Sequence, residues 1–227
     1  MPFFLHLFLS IQLAMAQGLT VQEQYDLGQK YLRRGYYTKA LDQFTLIRNY
    51  YRDDPLSMKA ELAIADVYYK KGEFDLALYS YNDFLRRYPR HEEVDYAYFR
   101  SGMTLYKKAP RVTGRDQTWT AQAIRSWSNF ENKFPQSEHV EEVVELRTEC
   151  EERLAKKELD IAIFYKRRAA WEAVLRRTAF FLKTHSASRY VPKAMALRAI
   201  ALTHNGMDAE AAKLLSKLNT IDATQAQ

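Results

Sequence analysis

The side chains that most enzymes and metal sites rely on are few and scattered in this sequence. The single cysteine, Cys150, has no histidine at the spacing of a metal site. The sequence contains no glycine-rich phosphate loop and no nucleophilic serine in an elbow motif. The five histidines lie far apart along the chain: His6, His91, His139, His185 and His204. We therefore expect a protein that is not an enzyme and that uses no metal or cofactor.

Arginines on both sides of a tryptophan indicate a site that binds a protein partner. The basic run Lys166–Arg168 precedes Trp171, and Arg176 and Arg177 follow it. A guanidinium group pairs with a carboxylate through two parallel hydrogen bonds, and arginine and tryptophan are enriched where protein partners meet. Packing between helices explains Trp171 equally well, whereas it explains Arg177 less easily.

The helices that position these residues come from a sequence pattern that recurs every 37 residues. The segment Gly35–Leu41 is echoed by Gly72–Leu78, and Tyr31 is echoed by Tyr68. Gly28, Tyr31 and Ala40 stand at the spacings of the tetratricopeptide pattern, in which small residues let two helices approach closely. The sequence therefore predicts an all-α fold, a superhelical solenoid of about five tetratricopeptide-like helix pairs.

Local signals give approximate bounds for these pairs. Thr20 and Glu23 have the spacing of a capping box, and Asp54–Pro55 places a proline in the first turn of a helix. With 7 glycines and 6 prolines among 227 residues, the chain has few helix breakers. The repeats are expected near residues 20–54, 55–90, 91–136, 137–187 and 188–219.

The third repeat is nine residues longer than the period, and the insertion lies within Lys107–Trp119. Its polar composition predicts a surface loop, in which Arg115 and Asp116 either bind outward or pair locally. A long helix is expected over Ser137–Arg168, with ion pairs four residues apart on its exposed side. Those pairs are Glu149 with Arg153 and Glu152 with Lys156.

The start of the chain predicts export. An apolar run over Pro2–Ile11 is followed by small residues at Leu13–Ala16, the arrangement that a signal peptidase recognises. We expect residues 1–16 to be a signal peptide and residues 17–227 to be one repeat domain. The net charge of +6 favours anionic lipid headgroups or an acidic partner. Nucleic acid ranks last, because no recognition motif accompanies the charge.

Three segments of this chain resemble a known family. They are Asp95–Gly102, the loop pair Arg115–Asp116, and the segment Phe164–Arg177, which reads FYKRRAAWEAVLRR. Together with the five-repeat layout, they resemble the BamD family, the tetratricopeptide subunits of the outer-membrane β-barrel assembly machine of Gram-negative bacteria. The resemblance covers about residues 20–218, which is nearly the whole expected mature chain.

The resemblance implies a scaffold at the periplasmic face of the outer membrane, with accessory assembly lipoproteins among its partners. The C-terminal repeats would dock a POTRA domain of the barrel-forming subunit, where Arg177 matches the docking surface. The N-terminal repeats would receive unfolded outer-membrane proteins, where Tyr51 matches an implicated position and Tyr31 and Tyr68 extend an aromatic groove. The predicted partner-binding residues are Arg115, Asp116, Arg168, Trp171, Arg176 and Arg177.

One departure from the family bears on the membrane. Members carry an acylated cysteine directly after the signal peptide, but the matching stretch Leu13–Gln17 has no cysteine. We expect attachment through partners without the usual lipid anchor, or a soluble relative. The main functional alternative is another periplasmic tetratricopeptide adaptor, one that serves envelope maintenance or division. A basic RNA-binding repeat protein is a third class, which the export signal disfavours.

Overall fold

The computed structural model describes residues 18–225, and side chains over residues 18–219. The predicted signal peptide, residues 1–16, lies outside the described residues. The described part folds into eleven helices and contains no strand, which confirms the all-α prediction. The helices are α1 (Val21–Arg33), α2 (Tyr37–Tyr50), α3 (Pro55–Lys71), α4 (Phe74–Arg87), α5 (Val94–Lys108), α6 (Thr118–Trp127), α7 (Phe130–Lys133), α8 (Val140–Lys166), α9 (Trp171–Thr184), α10 (Val191–His204) and α11 (Asp208–Gln225). None of these described helices has the length and apolar character needed to cross a membrane.

The predicted helix starts are present with the expected hydrogen bonds. The backbone N–H of Glu23 donates to Thr20 Oγ1 at 3.2 Å, and the backbone N–H of Thr20 donates to Glu23 Oε2 at 2.7 Å. The Thr20 hydrogen bonds hold the pKa of Glu23 below its usual value. Asp54 Oδ1 accepts from the backbone N–H of Leu56 at 2.8 Å, with Pro55 in the first turn. These caps satisfy N–H groups that a helix leaves unpaired at its start.

The chain divides into two compact units. Among the described residues, unit 1 consists of residues 18–108 and Ser126–Val143, and unit 2 consists of Ala109–Arg125 and residues 144–225. Each of the first four predicted repeat ranges contains a helix pair, the third with α7 in addition. The fifth range contains α10 and the start of α11, which continues past residue 219 to Gln225. A single repeat domain over residues 17–227 stays a prediction.

Unit 1 is built on α3, which packs against α2 on one side and α4 on the other. Short turns make successive helices antiparallel, so α3 must be apolar around most of its circumference. One core cluster joins α2 to α3, and a second joins α3 to α4 and α5. The first contains Ala40, Phe44, Ile47, Ala60, Ala63, Ile64 and Val67, and the second Leu62, Ala65, Ala77, Tyr81, Phe84 and Ala97.

Glycines allow the closest helix approaches in unit 1. A Cβ atom at Gly28 would lie 2.6 Å from the Phe44 ring, and one at Gly102 would overlap the indole of Trp127. Trp127 is fully buried, and its Nε1–H donates to the backbone carbonyl of Phe99 at 3.3 Å. The spacing of small and aromatic residues in the repeat therefore reports direct packing between neighbouring helices.

Unit 2 packs α8, α9 and α10 around a core of its own. That core contains Ala155, Leu159, Ala162, Val174, Phe181, Ala194, Leu197 and Ala201. Cys150 is buried in α8, and burial raises the pKa of its thiol to about 11.

The charged face expected on α8 is only partly solvated. Glu149 does pair with Arg153, at 2.7 Å, but Arg153 is buried and its guanidinium also reaches the carbonyl of Pro110 at 3.5 Å. The expected pair of Glu152 with Lys156 is absent. Glu152 instead accepts from the hydroxyl of Ser188 at 2.8 Å and from the backbone N–H of Arg189 at 2.9 Å, so it anchors the start of α10.

The turn between α8 and α9 carries backbone strain. The turns after α1, α3 and α10 use Gly35, Gly72 and Gly206 at positive φ, between 73° and 83°. At the matching position in the turn after α8, Ala169 has φ 53° and is the one non-glycine residue with positive φ in the described part of the chain. The left-handed region costs an L-residue about 1–2 kcal/mol. This basic turn is therefore held in a conformation that its own residue disfavours.

Replacing Gly102 by Ala should destabilise the protein, because the added methyl group overlaps the buried Trp127 ring. We expect a loss of about 1–3 kcal/mol in the free energy of unfolding, measured by urea denaturation. Gly114→Ala is the matched control, since a Cβ there meets no atom within 4 Å. Equal unfolding midpoints for the two variants would contradict the proposed close approach.

Replacing Ala169 by Gly should stabilise the protein, because glycine adopts positive φ without a steric penalty. After the greater entropy of an unfolded glycine is subtracted, the expected gain is about 1 kcal/mol. Gly206→Ala is the reciprocal control, since its φ of 73° makes alanine costly while no atom lies within 4 Å of the new methyl group. Urea midpoints should shift in opposite directions, and a lower midpoint for Ala169→Gly would show that no strain is stored there.

Candidate protein-binding surfaces

The basic turn of unit 2 presents exposed cations at the junction of α8 and α9. Arg167 and Arg168 are exposed, and the backbone N–H of Ala170 closes the turn onto the carbonyl of Tyr165 at 3.1 Å. The guanidinium of Arg168 lies 3.7 Å from the ring centre of Phe164, a cation–π contact that orients it while leaving it in solvent. Arg176 follows on α9, is exposed, and lies 3.9 Å from Glu172.

Trp171 has a packing partner inside unit 2. Its ring stacks on the imidazole of His204, with ring centres 3.9 Å apart and planes 5° from parallel. It also packs against the core cluster of unit 2 and is half-buried. Internal packing therefore accounts for Trp171, and only its exposed edge is open to a partner.

Arg177 also has a partner that the sequence did not reveal. Its Nη1 lies 3.6 Å from Glu158 Oε2 on α8. That carboxylate oxygen is buried and accepts no hydrogen bond from the described residues. A buried carboxylate needs a nearby cation, so Arg177 stabilises unit 2 as well as remaining 43% exposed. No pattern in the sequence indicated this ion pair, because Glu158 is distant in sequence and adjacent only in the fold.

The inserted loop is held by a buried glutamine. The Gln117 amide Nε2 donates to the carbonyls of Val112 at 2.9 Å and of Pro110 at 3.2 Å, and Gln117 Oε1 accepts from Thr120 Oγ1 at 2.5 Å. The hydroxyl of Thr113 donates to Asp160 of α8 at 2.9 Å. The loop is thus an ordered part of unit 2, and Gln117 is a residue that sequence reasoning missed because a polar loop gives no signal for which amide is buried.

Within this loop the structure separates the roles of Arg115 and Asp116. Asp116 Oδ1 accepts from the backbone N–H of Thr118 at 3.2 Å and from its hydroxyl at 2.9 Å. Of the two alternatives, outward binding and local pairing, Asp116 therefore follows the second, since it bonds to Thr118 at the start of α6. The Arg115 side chain is exposed and is the member of the pair available to a partner.

The three tyrosines predicted to line a groove in unit 1 pack against the same core cluster, but they lie at two different ends of it. Tyr31, Tyr51 and Tyr68 are all half-buried against the cluster formed by α2 and α3. Tyr31 and Tyr68 lie near the C-terminal ends of α1 and α3, whereas Tyr51 directly follows α2. Because neighbouring helices are antiparallel, Tyr51 lies at the opposite end, separated by the length of α2, roughly 20 Å.

A partly buried polar network joins α3, α4 and α5 beside these aromatics. Asp66 accepts from the hydroxyls of Tyr81 and Tyr96, and Arg100 Nε lies 3.5 Å from the same carboxylate oxygen. The Arg100 guanidinium stacks 3.8 Å from the ring centre of Tyr69. Burial and the Asp66 charge raise the pKa values of Tyr81 and Tyr96, so both hydroxyls remain donors at neutral pH. The network cross-links three helices and is internally satisfied, which makes it scaffold rather than binding surface.

Known proteins resemble this chain along most of its length. The family described as YfiO, outer membrane lipoprotein, matches residues 18–218. A protein of Xylella fastidiosa (strain 9a5c) named outer membrane protein assembly factor BamD is 27% identical in an alignment of 198 residues that covers 83% of this chain and 68% of that relative. The BamD of Vibrio cholerae serotype O1 is 26% identical over 208 residues, covering 87% and 86% of the two chains.

Solved structures support the repeat fold. The tetratricopeptide domain in the TPR2AB-domain:pHSP90 complex of yeast Sti1 superposes with a TM-score of 0.51 at 14% identity. The match covers 87% of this chain and 76% of that one, and it confirms the tetratricopeptide fold class. With the family match spanning residues 18–218, the chain belongs to the YfiO family of outer membrane lipoproteins, the family of the BamD assembly factors.

Proposed function

We propose that this protein is a non-enzymatic scaffold in the assembly and insertion of β-barrel proteins into the outer membrane. The observation that carries the proposal is the family match over residues 18–218, with relatives named as outer membrane protein assembly factors. Unit 2 docks a POTRA-bearing barrel subunit, and unit 1 receives unfolded outer-membrane protein segments. Accessory assembly lipoproteins complete the set of partners.

Docking through unit 2 is supported by its exposed cations. Arg168, Arg176 and the exposed part of Arg177 lie on the basic turn and the first two turns of α9. Guanidinium groups at a protein interface pair with carboxylates at short range and steer the approach of an acidic partner at longer range. Arg115 of the inserted loop adds another cation of the same unit.

Receipt of substrate segments through unit 1 is supported by its half-buried tyrosines. Tyr51 stands at one end of the α2–α3 cluster, and Tyr31 and Tyr68 stand at the other. A span of roughly 20 Å corresponds to about six residues of extended chain. An extended segment with aromatic side chains can therefore contact both ends of the cluster at once.

The proposed place of action is the periplasmic face of the outer membrane, after removal of residues 1–16. The net charge of +6 favours attraction to anionic membrane surfaces in addition to partner binding.

Removing the charge of Arg177 should weaken docking. Arg177→Glu alone would set two carboxylates side by side at Glu158 and destabilise unit 2 for reasons unrelated to a partner. The double variant Arg177→Gln/Glu158→Gln removes both charges at nearly constant volume. We expect its affinity for a purified POTRA-bearing subunit to fall at least about tenfold, since a charged hydrogen bond is worth about 1.5–3 kcal/mol. Biolayer interferometry measures the dissociation constant.

The matched control for docking is Lys183→Gln, which removes an exposed cation from the last turn of the same helix. Its affinity should equal that of the unaltered protein. Thermal unfolding verifies that the double variant is folded. A folded double variant with undiminished affinity would exclude Arg177 from the docking surface.

Truncating Tyr51 should weaken substrate receipt. We expect Tyr51→Ala to lower the affinity for a synthetic aromatic-rich C-terminal segment of an outer-membrane protein about fivefold, in line with the ~1 kcal/mol of an aromatic contact. Tyr51→Phe should retain binding, because the ring carries the contact. Tyr79→Ala is the control, since Tyr79 is 70% exposed on α4 and lies outside the α2–α3 cluster. Equal affinities for the two alanine variants, measured by fluorescence anisotropy, would remove Tyr51 from the site.

A further inference from the structure

An ion pair lies where α8 faces α9 in unit 2, close to the core of that unit. Glu158 lies between Ala155 and Ala162 on the face of α8 that packs into the core. Arg177 lies one turn after the buried Val174 on α9. Both charged side chains therefore meet between two packed helices, and the side chain of Glu158 is only 21% exposed.

This ion pair is incompletely formed. Nη1 of Arg177 lies 3.6 Å from Oε2 of Glu158, whereas a hydrogen bond between such charged groups spans about 2.8 Å. For comparison, Arg153 and Glu149 of α8 approach to 2.7 Å. Oε2 of Glu158 is buried and accepts no hydrogen bond from the described residues. The carboxylate is therefore held by the attraction between the two charges and not by a hydrogen bond to that oxygen.

Glu158 depends on Arg177 for this attraction. Among residues 18–219, Arg177 is the one cation within ion-pair distance of Glu158. The hydroxyl of Thr178, next to Arg177, donates to the carbonyl of Val174 in its own helix at 2.8 Å. If the guanidinium turned outward, a largely buried carboxylate would lose its counter-charge, and that loss is costly. Glu158 therefore favours the inward position of Arg177.

A docking partner asks for the same guanidinium. Arg177 is 43% exposed, so a partner group can reach it without unfolding of the helix. A partner carboxylate would make two short parallel hydrogen bonds to it, which the internal contact at 3.6 Å does not provide. The carboxylate of Glu158 and the carboxylate of a partner thus compete for one side chain.

We propose that Glu158 restrains Arg177 in the free protein and thereby limits the strength of docking through unit 2. Docking draws the guanidinium away from Glu158, and the cost of leaving that carboxylate uncompensated reduces the affinity. A neutral acceptor on a partner offsets this cost less well than a carboxylate does, so the internal pair also favours a charged acceptor. The inference rests on the docking of a POTRA-bearing subunit proposed above.

Replacing Glu158 by Gln should strengthen docking, because glutamine keeps the shape of the side chain and removes the charge that holds Arg177. We expect the dissociation constant for a purified POTRA-bearing subunit to fall about fivefold, at the lower end of typical coupling between two interactions. Biolayer interferometry measures it, and thermal unfolding verifies that the variant is folded. A residue with a merely structural role would weaken docking or leave it unchanged when replaced.

Glu145→Gln is the matched control. It removes the same charge from an exposed position of α8 in unit 2, roughly 20 Å earlier along the helix axis. Its affinity should equal that of the unaltered protein. The expected order of affinity places Glu158→Gln first, the unaltered protein second, and Arg177→Gln/Glu158→Gln last, because the gain from Glu158→Gln acts through Arg177.

Two results would overturn this inference alone. The first is a Glu158→Gln variant that binds no more tightly than the unaltered protein, and the second is an equal gain from Glu145→Gln, which would report net charge. Docking through Arg177 still stands in both cases if the double variant binds weakly. A double variant that binds as tightly as Glu158→Gln would instead exclude Arg177 from docking, and both proposals would then fail.

Discussion

The architecture of unit 1 depends on the contact of small residues with large aromatic rings across neighbouring helices. Gly28 faces Phe44, and Gly102 faces Trp127, with no room for a Cβ atom in either place. Such a contact sets both the distance between two helices and their register along the axis, because the ring fits at one position only. This register fixes where each helix must end, and so it fixes the positions of the turns.

Some charged side chains are paired inside the units and stabilise the fold, whereas others are exposed and have no carboxylate partner. Asp66 is satisfied by two tyrosine hydroxyls and Arg100 inside unit 1, and Glu158 relies on Arg177 inside unit 2. Removing a carboxylate from water is costly unless cations or hydrogen-bond donors lie beside it. The exposed cations of the basic turn of unit 2, Arg167 and Arg168, have no carboxylate partner among the described residues and are available to a protein partner. A net charge of +6 is therefore less informative than the positions of the unpaired arginines.

The basic turn of unit 2, which presents the exposed arginines, contains a strained alanine. Glycine serves this position at Gly35, Gly72 and Gly206, and alanine at Ala169 adopts the same left-handed conformation at a cost. The surrounding hydrogen bonds and the stacking of Trp171 on His204 hold the turn in place. Strain of this kind persists only where neighbouring contacts over-determine the backbone.

Sequence patterns alone predicted the helical fold, the repeat spacing, the capped starts of α1 and α3 and the place of the insertion. Those features depend on residues close together in the chain or on a period, and local physics decides them. The partner of Arg177, the burial of Arg153 and Gln117, and the separation of Tyr51 from Tyr31 were decided only by tertiary structure. Each depends on which faces of distant helices meet, and one sequence carries no signal for that pairing.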